Sequence, residues 1–516
     1  MNPVIVIPTY VGTKRRTPNY NIVATYDHVT PLTHQGELPR CLASLRDNGI
    51  AAPILLLVVS ENGVERDASA KIREIAAAFR ENLDIRVFDA DVLTLFHARA
   101  EQLGLAGIKE SISLTGYGAT RNFGLVVSAT LGFTEIIFID DDEVVCGPDF
   151  LERALYGLGK LSKKGIPVLV KSGFYTDRGG HWKSKATRAW YNRYWEQGEL
   201  FNRWITRAMS APRLSRSNVL YGGLMAIHRE ACRRVSFDPW IPRGEDLDYL
   251  LNVRMYGGSV WFDNKWSVQH LPPTERNEAQ RFRQDIYRWI YEHRKLEFSK
   301  TQIDLLQIQP HSLDPYPGPF LENSITTRVF VTALLRTIGR PNDRQGYFRA
   351  AQVARREAKA YAEMFCSKYF EFQFGWPQVL GTLEADPQLQ RLFDEATRVR
   401  GAMTSDPSAS GVSRAVVGAG GVGAAGVPVG AAGAAGAAGL AAPALAAPPI
   451  VTPPTVTASV AVAPNNPAAA SVVAVRSAAG LDPAAVAAAT PAVAPKPDLF
   501  DFELDLEALG IDVDDD

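Results

Sequence analysis

The chain has 516 residues, of which 46% are hydrophobic, and its formal net charge is -1. The first 400 residues hold 52 of the 55 basic and 45 of the 56 acidic residues, a positive surplus that suits an anionic ligand but predicts no nucleic-acid partner. The four cysteines form no CxxC pair, which argues against a disulfide framework or a zinc site and predicts a reducing, cytoplasmic location. We expect neither a signal peptide nor a transmembrane segment, because no charged n-region and no long apolar run are present.

The first part of the chain alternates strand-like and helix-like patterns. Short aliphatic runs bounded by polar or turn residues predict buried strands at residues 4–7, 54–59, 85–88, 136–139 and 168–171. Helical patterns lie between them at residues 38–47, 68–81 and 119–130. This alternation predicts an α/β fold with a largely parallel sheet, helices on both faces, and ligands at the carboxyl ends of the strands.

The next part begins with residues 173–217, which are rich in Trp, Tyr and Arg and show no clear strand. We expect helices or loops over the sheet edge there. Strand-like character resumes at residues 219–227 and 259–262, and residues 275–299 and 324–368 have the pattern of long amphipathic helices.

The last part of the chain differs in composition from the rest. Residues 401–497 are dominated by Ala, Gly, Pro and Val, which predicts a disordered linker because such a segment buries too little apolar surface to offset its ordering entropy. Residues 498–516 combine acidic and apolar side chains and form an amphipathic segment that could bind a protein partner.

The strongest chemical signal is the sequence IIFIDDDE at residues 136–143, where a hydrophobic strand ends in a run of carboxylates. Crowded carboxylates repel one another unless a cation lies between them. Mg²⁺ and Mn²⁺ prefer carboxylate oxygens and leave coordination positions for phosphate oxygens. The alternative is a solvated acidic turn.

Further motifs follow one another in a fixed order around this strand. They are VIPTY at 6–10, LVVSENG at 57–63, YGATRNFGL at 117–125, RGED at 243–246 and QHLPP at 269–273. Over about residues 2–273 the chain therefore resembles glycosyltransferase family 2 and related enzymes of the GT-A fold. The resemblance implies a GT-A domain at residues 1–275, and we expect residues 276–400 to form a helical extension packed on it.

The resemblance also implies a nucleotide-sugar donor and a divalent metal ion, Mn²⁺ or Mg²⁺. The residues it assigns to the donor are Pro8, Thr9, Tyr10, Glu61, Asn62, Arg121, Asn122, Asp140 and Asp141. The residues it assigns to the metal are Asp140, Asp142 and His270, while Asp141 and Glu143 are expected to support the ligands. Taken alone, His270 could equally be an ordinary histidine whose ring nitrogens bind backbone groups. Arg121 could equally form a surface ion pair.

The RGED motif supplies the candidate catalytic residues. An inverting transfer needs a carboxylate base opposite the leaving group, and we assign Asp246 to this role, with Glu245 orienting the acceptor or the loop. An N-terminal helix dipole would keep Asp246 ionised. Taken alone, the same two acids could simply cap a helix.

Three other functions compete with an inverting glycosyltransferase. A retaining enzyme would use the same fold, with Asp246 or Glu245 in a positioning role. A sugar-nucleotide pyrophosphorylase is disfavoured because residues 6–17 lack a Gly-rich, Lys-bearing phosphate loop. A non-catalytic scaffold would act through the acidic tail. The acceptor, whether a carbohydrate, a lipid-linked group or a protein, is not identified by the sequence.

Overall fold

The computed structural model describes residues 1–13, 26, 29–185, 188–273, 278–395 and 397. The predicted linker at 401–497 and the acidic segment at 498–516 lie outside the described residues. Within the described ranges no helix combines the length and apolarity needed to cross a bilayer. All four cysteines are described, and none of them forms a disulfide.

One sheet organises the molecule. Its strands, in chain order, are β1 Pro3–Gly12, β2 Thr30–Pro31, β3 Ile54–Ser60, β4 Ile85–Phe88, β5 Glu135–Ile139, β6 Glu143–Val144, β7 Val170–Thr176, β8 Leu214–Arg216, β9 Leu224–His228 and β10 Val260–His270. Their spatial order is β4-β3-β1-β5-β9-β7-β10-β6, with β2 beside β1 and β8 beside β10. Strands β4, β3, β1 and β5 are parallel, as are β7 and β10, while β9 runs antiparallel between β5 and β7.

The helices of the first part of the chain connect these strands. They are α1 Leu38–Asp47, α2 Glu65–Ala77, α3 Ala90–Gln102, α4 Tyr117–Thr130, α5 Phe150–Leu155, α6 Gln197–Met209, α7 Arg229–Arg234 and α8 Glu245–Met255. The helices that follow the sheet are α9 Glu278–Ser299, α10 Ile325–Gly339, α11 Arg344–Arg356, α12 Ala358–Glu384 and α13 Pro387–Glu395. The predicted GT-A type of architecture, a largely parallel α/β sheet followed by a helical extension, is confirmed.

Strand β1 is longer than its sequence pattern predicts. The pattern ends at residue 7 and places Pro8 and Thr9 in a turn, but β1 continues to Gly12 and stays paired with β3 as far as Val11. Pairing with β5 ends at Val6, so Pro8 lies where β1 has lost one neighbour. Proline is tolerated in a strand at such an edge position. The predicted binding loop is therefore the end of a strand, in which Pro8 and Tyr10 are half-buried and Thr9 is buried.

Four other strands differ from their predictions because long-range pairing overrides the local pattern. Strand β7 runs on to Thr176, and β8 forms inside the segment in which no strand was expected, because β10 supplies a partner to each of them. Strand β9 begins only at Leu224, five residues later than predicted. Strand β10 extends eight residues beyond the predicted end and terminates at His270.

The helices that follow the sheet pack on one another and on the helices α3, α4 and α7, and they bury polar side chains. Helix α9 packs against α10, α11 and α12, and it buries Lys295 against two aspartates. The Nζ atom of Lys295 lies 2.7 Å from an oxygen of Asp238 and 2.7 Å from one of Asp248. Asp248 belongs to α8, so this buried ionic cluster fixes α8 against α9.

The carboxyl edge of the sheet is where the chain concentrates polar residues. Strands β1, β5, β7 and β10 all end at this edge because they run in the same direction. The antiparallel strand β9 begins there, which brings Gly222 and Gly223 to the same place. Residues 5–7 and 136–139 behind the edge are completely buried, so the polar residues stand on a rigid hydrophobic base.

Candidate active site

A cavity of about 250 Å³ opens at the carboxyl edge of the sheet. It is lined by most of the residues predicted from the sequence, namely Pro8, Thr9, Tyr10, Arg121, Asp140, Asp141, Asp142, Glu245, Asp246 and His270. These residues come from the ends of three strands, β1, β5 and β10, and from the N-terminal parts of two helices, α4 and α8, which the sheet order brings to one place. In particular, Asp142 and Asp246 share a cavity, although they lie 104 positions apart in the chain.

The three consecutive aspartates after β5 have different surroundings. Asp140 accepts a hydrogen bond of 2.8 Å from Nη2 of Arg121, and its side chain is 37% exposed. Asp141 is buried and accepts a hydrogen bond of 2.6 Å from the Thr9 hydroxyl. Asp142 is also buried and faces His270. Neighbouring carboxylates thus point to the cavity, to β1 and to β10.

A group of three potential metal ligands forms where β6 pairs with β10. One ligand atom each from Asp142, Glu143 and His270 lie within 4.8 Å of one another. The His270 Nδ1 atom is 3.6 Å from Asp142 Oδ1 and 3.6 Å from Glu143 Oε1. The pairing register sets His270 directly opposite Glu143, and the His270 ring stacks on Tyr175 with 5.0 Å between centroids.

Electrostatics at this group favour a cation. Burial raises the pKa of Glu143 well above its ordinary value, and the charges of Asp140 and Asp142 raise it further, while the Tyr175 hydroxyl and Arg121 act in the opposite direction. A divalent ion would offset this repulsion and stabilise the ionised carboxylates.

The residues present also leave room for such an ion. A Cβ atom added to Gly223 would collide with Glu143 Oε1 and would lie 2.7 Å from Asp140 Oδ2. The space beside Gly223 is therefore bordered by two carboxylates, and glycine has no side chain that would fill it. Carboxylate oxygens are the ligands that Mg²⁺ and Mn²⁺ prefer, so the donor set fits a hard divalent cation.

Arg121 connects the acidic strand end to the start of α8. Its Nη2 binds Asp140, and its Nε lies 3.4 Å from Glu245 Oε1. Burial alone would lower the pKa of Arg121, but the two carboxylates outweigh it and hold that pKa above its ordinary value. The guanidinium also lies 4.9 Å from the centre of the Phe138 ring. It is a fixed positive charge on the cavity wall.

The two acids of the RGED motif lie at the N-terminus of α8, as predicted, but in different environments. Asp246 accepts hydrogen bonds from the backbone N–H of Gly222 at 3.1 Å and of Leu247 at 2.7 Å, which hold its carboxylate in place. Glu245 is buried, and burial, with the charges of Asp246 and Asp140, raises its pKa to about 7 despite the opposing charge of Arg121.

An aromatic wall faces the strand end of β1. The rings of Tyr10 and Tyr26 have centroids 4.2 Å apart, and those of Tyr26 and Tyr117 are 5.0 Å apart. All three line the cavity. Such a surface can stack on a planar ring such as a nucleobase.

Three residues predicted to contact the donor do not line the cavity. Glu61 accepts hydrogen bonds from the backbone N–H and hydroxyl of Thr13, at 2.8 and 2.7 Å. Asn62 is exposed beyond the end of β3. Asn122 is fully buried, and its amide joins α4 to the backbone of Phe237 through two hydrogen bonds. The structure thus gives Glu61 and Asn122 contacts that hold the fold together.

Several cavity residues were not singled out by sequence reasoning. They are Tyr26, Tyr117, Tyr175, Gly222, Arg243, Arg281 and Arg288. The adjacent glycines before β9 were a usable signal, since a glycine pair at a strand start often allows close approach to a ligand. The seven-residue spacing of the two arginines in α9 also predicts one helix face, but the pattern does not reveal what that face meets.

No protein-family model and no curated protein matches the chain. Among solved structures it is similar to a mannosyltransferase from Pyrobaculum calidifontis in complex with GDP-Man and Mn²⁺, with 14% identity and a TM-score of 0.34 over 76% of this chain and 88% of that one. It is also similar to glucosyl-3-phosphoglycerate synthase from Mycobacterium tuberculosis in complex with Mn²⁺ and UDP-glucose, with 14% identity and a TM-score of 0.29 over 55% of this chain and 74% of that one. A structure of GalNAc-T7 with UDP, GalNAc and Mn²⁺ has 14% identity and a TM-score of 0.30 over 58% of this chain and 51% of that one. Similarity at this sequence identity does not show which activity this chain has.

Proposed function

We propose that the chain is a metal-dependent glycosyltransferase that moves a sugar from a nucleoside-diphosphate sugar to an acceptor hydroxyl. One observation carries the proposal. A single cavity combines a carboxylate and histidine group suited to a divalent cation, a buried arginine, an aromatic wall and a separate carboxylate at a helix N-terminus. Diphosphate departure and hydroxyl deprotonation need these groups together.

The cation in this proposal is Mn²⁺ or Mg²⁺. The ligands expected from the sequence are Asp140, Asp142 and His270. Glu143 is a further candidate ligand, because its carboxylate lies close to those of the other acids and to the His270 ring. When bound, the cation would neutralise the charge that develops on the departing diphosphate. Arg121 supplies a second positive charge on the same wall, fixed by Asp140 and Glu245.

The other residues bind and orient the substrates. Tyr10, Tyr26 and Tyr117 offer a stacking surface for the nucleobase, with Pro8 and Thr9 beside them. Donor contacts by Glu61, Asn62 and Asn122 have no support from the cavity lining. Nucleobase selection is therefore assigned to the aromatic wall.

Asp246 is proposed as the general base of an inverting transfer. The backbone N–H groups of Gly222 and Leu247 hold its carboxylate in place, and the N-terminal end of α8 favours its negative charge. The proton of the acceptor hydroxyl would move to a carboxylate oxygen of Asp246 as the hydroxyl oxygen attacks the anomeric carbon. Glu245, buried against Arg121, holds the cavity wall in position.

The experiment is a nucleotide-release assay on the full chain. Purified protein with Mn²⁺ is offered a panel of nucleotide sugars, and release of the nucleoside diphosphate is measured with and without EDTA. We expect EDTA-sensitive release with one donor, and loss of most turnover in Asp246→Asn with donor binding retained. Asp304→Asn, an exposed acid outside the cavity, is the matched control.

The same assay separates the alternatives. Release that persists in both EDTA and Asp142→Ala would rule out the metal-dependent mechanism. Retained turnover in Asp246→Asn would remove Asp246 as the base, and a product with the donor's anomeric configuration would make the enzyme retaining. The absence of release with every donor would refute the proposed activity.

Two further proposals concern organisation and location. We propose that residues 1–275 form the catalytic domain and residues 276–400 an extension that completes it, because α9 contributes Arg281 and Arg288 to the cavity wall. We also propose a cytoplasmic location, which the small number and wide spacing of the cysteines in the sequence support.

A further inference from the structure

Three arginines line the cavity on the side of Asp246. Arg243 precedes α8, while Arg281 and Arg288 lie seven residues apart on α9 and so share one helix face. Arg281 and Arg288 lie outside the motifs on which the resemblance rests, and Arg243 belongs to the RGED motif but has no role assigned from the sequence. The proposed transfer already has Arg121 and a cation for the diphosphate, so these three charges need another explanation.

Two of the three side chains have contacts that fix them in the wall. Arg288 is nine-tenths buried and packs on Gly244, where a Cβ atom would collide with the guanidinium. Its Nη2 lies 4.0 Å from Asp246 Oδ1. Arg243 is held by Asp285, with 3.5 Å between Nη1 and Oδ1. Arg281 lines the same cavity.

Arg288 has one donor group turned towards Asp246 and another bound to Glu292. Its Nε donates a hydrogen bond of 3.1 Å to Glu292, but burial raises the pKa of Glu292 to about 8 despite the opposing charge of Arg288. Near neutral pH Glu292 therefore offsets only part of the positive charge of Arg288. A negatively charged substrate group beside Asp246 would interact favourably with this guanidinium.

We infer that the acceptor carries an anionic group, a phosphate or a carboxylate, which binds Arg243, Arg281 and Arg288 while its hydroxyl faces Asp246. This inference deepens the proposed function and rests on it. Guanidinium groups bind both anions through paired N–H donors, and a fixed anion contact would hold the hydroxyl in reach of the base. The metal group is left to the donor.

The test compares three small hydroxyl compounds on the full chain. Glycerol 3-phosphate, glycerate and glycerol carry a phosphate, a carboxylate and no charge. Binding of each is measured by isothermal titration calorimetry, without metal and again with Mn²⁺ and the nucleoside diphosphate that binds best. We expect one or both anions to bind, glycerol not to bind, and the bound nucleotide to leave anion binding intact or strengthen it.

The variants locate the site. Arg281→Gln should weaken anion binding about tenfold or more, because a hydrogen bond to a charged group is lost. Arg283→Gln is the matched control, since it lies two residues away on the same helix but does not line the cavity. It should bind the anions like the unmodified protein.

The outcomes separate this inference from the proposed function. Equal binding of glycerol and the anions, or equal effects of the two variants, would overturn the anion site. Competition between the anion and the nucleotide would also overturn it, because the arginines would then serve the diphosphate. Anion binding that depends on Arg281 in a protein without nucleotide release from any donor would keep the site and remove the transferase.

Discussion

Replacing Gly223 by alanine tests the metal group without replacing any of its ligands. The added Cβ would lie 2.7 Å from Asp140 Oδ2 and would collide with Glu143 Oε1. An ordinary contact begins at 3.4 Å, so the Asp140 oxygen would have to move by about 0.7 Å. Ligand distances in metal sites vary by only about 0.2 Å, so the ligands could no longer converge on one ion.

We expect Mn²⁺ affinity to fall by about 10- to 100-fold in Gly223→Ala. The fold should survive at a cost of about 1–3 kcal/mol, because the new methyl meets the ends of side chains and no backbone atoms. Mn²⁺ binding is measured by titration calorimetry on the full chain, and folding by thermal denaturation in EDTA.

The neighbouring glycine provides the control. A Cβ added to Gly222 would have its nearest contacts at 3.2 Å to Glu245 Oε1 and 3.4 Å to Arg121 Nη2, so Gly222→Ala should bind Mn²⁺ nearly as the unmodified protein does. Unchanged Mn²⁺ affinity in a folded Gly223→Ala protein would refute the placement of the cation beside Gly223.

Three predictions concern stability, measured as the free energy of unfolding in urea. Lys295→Met should cost about 3–5 kcal/mol, because it leaves two buried aspartates without their cation. Burial raises the pKa of Glu292 from 4.5 to about 8, so its stabilising contribution is complete below pH 4.5 and is lost as the pH rises through 8. Glu292→Gln should therefore remove the fall in the free energy of unfolding between these pH values. An unchanged fall in the variant would contradict the raised pKa of Glu292. Gly118→Ala should be strongly destabilising because its Cβ would collide with the Asp238 carbonyl, whereas Gly381→Ala, with open space around it, should be neutral or stabilising by up to about 1 kcal/mol.

The sequence predicted the local elements where a short pattern decides them. Helix α1 and strand β4 have the expected bounds, because an apolar face or a buried run is enough to define them. The sequence patterns did not predict the strands correctly where pairing with a distant strand decides whether a strand forms or how far it extends. Strand β8 exists because β10 pairs with it, and β1 extends past Pro8 because β3 continues beside it.

The candidate site divides in the same way. The acidic strand end was recognised from carboxylates crowded after a buried strand, and the RGED motif was recognised by its resemblance to a family motif. Asn122 was assigned to the donor by resemblance, yet its amide is held by the backbone around Phe237, 115 positions away. A one-dimensional pattern cannot show whether a polar side chain faces a cavity or the interior.

By itself the sequence determined the fold class and the chemistry of the acidic strand end, since both follow from hydrophobic periodicity and neighbouring charges. Only the tertiary structure decided that Glu143 meets His270 across two antiparallel strands and that Arg288 of α9 reaches Asp246. Those contacts depend on strand register and helix packing, which are set by the burial of the whole core and are encoded in no local segment.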